Sequence, residues 1–63
     1  MTELESMFVT SAKSVLRRFD GDYVEARRQL IRWRDDNSEG TPSFMFHNVT
    51  LKTLERLKAS GEV

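Results

Sequence analysis

Apolar residues recur along this chain at intervals of three and four. Leu4, Phe8, Ala12, Val15, Leu16 and Phe19 follow that spacing, and Met7 and Val9 widen the stripe. A helix of 3.6 residues per turn puts such positions on one side. The spacing predicts a first helix from about residue 3 to 19. Thr2 with Glu5 fits a capping box at its start. Asp20-Gly21 is its stop, because glycine reaches the left-handed conformation at little steric cost.

A second stripe follows at once. Tyr23, Ala26, Leu30 and Trp33 share a face, with Val24 and Ile31 beside it. Asp22 and Glu25 form a second capping candidate, and the helix is expected from about residue 23 to 34. The short turn at Asp20-Gly21 predicts an antiparallel helical hairpin. "DNSEGTPS" is the clear loop, rich in turn formers. Beyond it, two readings of "SFMFHN" stay open. Thr41 can cap one long helix over about 42–59, with Pro42 in its first position. Alternatively Phe44 to Phe46 are extended and Asn48 caps a shorter helix. The long helix is favoured, since Leu51, Leu54 and Leu57 or Lys58 continue its period and Gly61 supplies a stop.

The expected architecture is therefore all-α: a single helical domain, residues 1–63, forming a small bundle of three helices built on the hairpin. Phe44, Met45 and Phe46 are consecutive, and neighbours on a helix point about 100° apart. They cannot all enter one core. A domain of this length buries only about 60% of the surface its unfolded chain exposes. A homodimer through this segment is expected on those grounds.

The 63-residue chain has no cysteine, so neither a disulfide nor a thiolate metal site braces it. No apolar run approaches the roughly 18 residues of a membrane span. The acidic start MTELESMF is unlike a signal peptide. An intracellular protein without a membrane partner is expected.

Charge is balanced, with ten basic and ten acidic residues. Its distribution is not. Residues 17 to 34 hold six Arg against Asp20, Asp22 and Glu25, a local +3, and residues 35 to 39 hold Asp35, Asp36 and Glu39, a local −3. Arg28 and Arg32 are helical neighbours, as are Arg27 and Arg34. Arginine suits phosphate and guanine because its planar fork meets two acceptors together. The competing expectation is local pairing, Glu25 with Arg28 and Asp35 or Asp36 with Arg32. The neutral total favours pairing over contact with nucleic acid.

Catalytic chemistry finds little footing. His47 is the one histidine; Ser43 or Thr50 would have to serve it as nucleophile, in a chain too short to enclose a pocket. The three acids of residues 35–39 lack the ligand pattern of a calcium loop. Gly21, Gly40 and Gly61 are isolated, so no phosphate-binding loop occurs. No catalytic residue, metal or cofactor is expected. The contact candidates are Arg28, Arg32, Arg34, Trp33, Phe44 and Phe46, because aromatics and arginine dominate binding hot spots.

Three resemblances bear on function. "NVTLKTLERLKASGEV" resembles the recognition-helix end of winged-helix regulators, although no wing follows Val63. "SVLRRFDGDYVEARRQLI" looks like the second and third helices of ubiquitin-binding CUE domains. There Leu30-Ile31 stands for the closing dileucine, and Met7-Phe8 echoes the Met-Phe-Pro motif. Val9 replaces the proline, so only helical-hairpin geometry carries over. The whole chain, by its length, its acidic start, "DGDYVEARRQLIRWRDDN" and "TLKTLERLKASGEV", resembles the small early proteins of lambdoid phages. Those come from reading frames between the recombination and excision genes. That resemblance implies a non-enzymatic regulatory protein in the host cytoplasm, modulating host physiology or the lysis–lysogeny choice. It carries no site residues. A protein partner is expected, and a DNA-binding helical transcriptional regulator is the alternative.

Overall fold

The computed structural model describes residues 2–63 and contains three helices, α1 (Glu3–Arg18), α2 (Tyr23–Asp35) and α3 (Pro42–Ala59), with no strand among them. Each begins on a side-chain cap. Thr2 Oγ1 accepts from the Glu5 N–H, Asp22 Oδ1 from the Glu25 N–H and Thr41 Oγ1 from the Phe44 N–H, all at 3.1 Å. These satisfy first-turn amides that have no helical acceptor. Only this half of each capping box forms among the described residues. Glu25 turns its Oε2 to Arg28 instead, 3.4 Å away. Thr41 also donates its hydroxyl to the Ser38 carbonyl at 2.7 Å, tying the loop to the start of α3. The long-helix reading of residues 42–59 thus holds, and Phe44 to Phe46 are helical.

The stop after α1 differs from the expected one. Gly21 N–H donates to Leu16 O and Asp20 N–H to Arg17 O, the paired bonds of a Schellman ending. In that pattern the residue after the cap, Asp20, takes the left-handed conformation itself, at φ 56°. Gly21 follows at φ 80°. After α3 the same two bonds run from Glu62 to Leu57 and from Gly61 to Lys58, and here glycine holds the left-handed position.

Helix α3 packs against both α1 and α2, which touch each other least. It accordingly supplies most of the core. Leu51, Leu54 and Leu57 are buried with Leu30 and Ala26 of α2 and Ala12 of α1. Two threonines of α3 are buried among them. Thr53 donates its hydroxyl to Val49 O at 2.8 Å, and Thr50 Oγ1 lies 3.4 Å from Ser11 Oγ of α1. No buried side-chain polar atom lacks a partner among the described residues.

The molecule measures 31 × 27 × 18 Å. Packed helices lie 8–10 Å apart, so the short dimension holds about two helical layers. That thinness has a consequence for large side chains. No aromatic ring is fully enclosed; Phe19, Tyr23 and Trp33 pack only on the rim of the Leu and Ala core. Leu4, expected on the inner stripe of α1, is instead 62% exposed, because the stripe's first turn extends past the core. Val24 is likewise outside.

A candidate interaction surface

A row of rings crosses all three helices. Phe19, which caps the end of α1, meets Trp33 of α2 at 6.4 Å between centroids, and Trp33 meets His47 of α3 at 6.0 Å. His47 stands edge-on to Phe46 at 5.8 Å, and Phe46 closes on Phe8 of α1 at 5.6 Å. These separations and tilts suit the quadrupoles of aromatic pairs. The row lies at the surface: its members are half-buried, and Phe46 is exposed.

His47 is oriented from below. Its Nδ1 lies 2.8 Å from the backbone carbonyl of Ser43. A carbonyl only accepts, so Nδ1 carries the proton, and in the neutral ring Nε2 is left as an acceptor. The ring therefore does not engage the Ser43 hydroxyl, and Thr50 is buried beside Ser11. The histidine is set for packing and for one outward hydrogen bond.

At the Trp33 end the row borders an open depression of about 280 Å³ lined by Arg18, Trp33, Asp36, Asn37 and His47. Asn37 Nδ2 donates to Trp33 O at 2.7 Å, which holds the end of α2 against the loop. At the Phe8 end the row borders a second groove, about 390 Å³, between α1 and α3. Its lining combines Leu4, Phe8 and Val49 with Glu5, Lys52 and Arg56.

The arginines separate by environment. Arg34 is half-buried: Nε pairs with Asp35 at 3.0 Å, Nη1 reaches Asn48 Oδ1 at 3.4 Å, and the guanidinium lies 6.0 Å from the Phe44 ring centroid. It braces α2 on α3. Arg27 does the same through Glu55 at 3.3 Å. Arg28 is exposed and pairs with Glu25. The expected pairing of Arg32 with Asp35 or Asp36 does not form. Asp35 goes to its neighbour Arg34, and Arg32 is exposed with no ion pair among the described residues.

The six contact candidates thus fall in three places. Trp33 and Phe46 belong to the row, Arg34 and Phe44 make a separate contact between α2 and α3, and Arg28 and Arg32 are exposed on α2. The sequence reading places Phe8 and Phe19 on the core stripe of α1 and His47 at the surface beside Phe46, and nothing in the spacing shows that these three join Trp33 in one row. Among the described residues no cluster of three His, Cys, Asp or Glu is placed to hold a metal ion, and no helix is long and apolar enough to cross a membrane. No protein-family model, curated protein or solved structure matches the chain.

Proposed function

We propose that this chain is a non-enzymatic binding protein that engages a protein partner through the aromatic row and its arginine border. One observation carries the reading: Trp33 packs only on the rim of the Leu and Ala core, Phe44 is half-buried and Phe46 is exposed. Apolar rings at a surface are costly unless another surface covers them. Arg18 beside Trp33 and Arg34 beside Phe44 add the cationic rim found around such contacts. The resemblance to early-region proteins of lambdoid phages supports a regulatory role in the host cytoplasm, on host physiology or the lysis–lysogeny choice. The finer topology in this reading is a hairpin of α1 and α2 about Asp20-Gly21, with α3 packed on both. The chain acts as a homodimer.

The test is affinity capture from host lysate after nuclease treatment, comparing the natural chain with the Trp33→Ala, His47→Ala variant. A partner held by the first and lost by the second supports the reading. A partner held equally by both, or none surviving nuclease, contradicts it. A DNA-binding regulator is the second reading. It is favoured by Arg32, which is exposed and unpaired among the described residues, standing one turn from the exposed Arg28.

A further inference from the structure

We infer that the α1–α3 groove is a self-complementary surface that seats a second copy of this chain. The inference rests on the binding-protein reading and names the dimer's surface, which lies at the opposite end of the row from Trp33.

Three of the large apolar side chains most open to solvent border this groove or adjoin its lining: Leu4 (62% exposed), Met45 (57%) and Phe46 (40%). They form one continuous patch. Leu4 and Phe8 line the groove from α1, one turn apart. Phe8 touches Phe46, and Val49 lies three residues on from Phe46 and four from Met45. Met7, also exposed, is three residues from Leu4 and extends the patch along α1.

Charge selects the occupant. The α1 side carries Glu5, and the α3 side carries Lys52 and Arg56. Glu5 forms no ion pair among the described residues, nor does Arg56, and Lys52 reaches only Glu55 at 4.0 Å. One wall is therefore acidic and the other basic, with apolar residues between. In a two-fold interface the same patch lies on both partners, and residue i of one meets residue j of the other while j meets i. Two copies related in this way set each acidic wall against the partner's basic wall and each apolar floor against its twin. A partner of one charge sign would match one wall and be repelled by the other. A standard interface buries about 800 Å² per partner, less than a fifth of this monomer's 4387 Å².

The test uses purified chain alone, by sedimentation equilibrium from low micromolar to millimolar concentration. The natural chain should be a dimer. Glu5→Lys and Arg56→Glu should each weaken self-association roughly tenfold or more, since each sets like charges together. An equimolar mixture of these two variants should dimerise again, because each introduced charge then faces an opposite one in both halves of the interface. Both positions lie on the surface, so circular dichroism should show unchanged helicity. Leu4→Glu should give monomer. A natural chain that stays monomeric at millimolar concentration overturns the inference, and so does a dimer indifferent to these variants. A groove that takes a different protein while the chain stays monomeric also overturns it. A natural chain that dimerises as predicted but captures no nuclease-resistant partner would instead defeat the proposed function, so the two failures are distinguishable.

Discussion

Phe8 and Phe46 meet ring to ring across the seam between α1 and α3, at 5.6 Å between centroids and an interplanar angle of 44°. The contact joins the aromatic row to the groove. It holds the first half of α1 to α3 where the buried core does not reach. Replacing each phenylalanine by alanine, singly and together, should give a coupling energy of about 0.5–1.5 kcal/mol in a double-mutant cycle. Urea denaturation below the dimerising concentration measures it. Strict additivity would mean that the rings do not support each other.

The core is narrow, so its sites should be unequal. Leu54 is wholly enclosed and Val24 is 62% exposed. Leu54→Ala should cost about 2–5 kcal/mol, enough to unfold much of a chain this small, whereas Val24→Ala should stay within about 0.5 kcal/mol. Comparable losses at both positions would place the core elsewhere.

The two helix stops invite a direct comparison. Asp20 occupies the left-handed position that Gly61 occupies after α3. A side chain with a Cβ is strained there. Asp20→Gly should therefore raise stability by up to about 1 kcal/mol, while Asp22→Ala, which deletes the α2 cap, should lower it by about 0.5–2 kcal/mol. Thermal melts of the two variants should move in opposite directions.

Arg28 and Arg32 separate the protein reading from the DNA reading. If they grip phosphate, duplex binding followed by anisotropy should weaken steeply with salt and fall in the Arg28→Ala, Arg32→Ala variant. The protein reading predicts no saturable duplex binding at physiological salt and unchanged partner capture by that variant.

The three helices and their caps were legible in the sequence because local chemistry decides them. A hydroxyl or carboxylate before an amide-rich first turn, and apolar residues at helical spacing, act over four or five residues. Thr41 with Pro42 resolved the third helix on that basis. What remained hidden depends on how the helices sit against one another. Leu4 belongs to the inner stripe by spacing, yet the core ends before it. Asp35 pairs with Arg34 rather than Arg32 because of side-chain directions at the C-terminal end of α2. The row itself needs three helices to bring Phe8, His47 and Trp33 together, and no window of sequence contains all three.

Trp33 is the only tryptophan in the chain and packs between Phe19 and His47 in the row. Its fluorescence tests the binding surface most directly, by titration of the nuclease-resistant partner into the natural chain and into the His47→Ala variant. The account predicts a saturable blue shift of the emission as the partner covers the indole, and affinity at least roughly tenfold weaker in the variant. A partner that binds both chains equally and leaves the emission unmoved would contradict it.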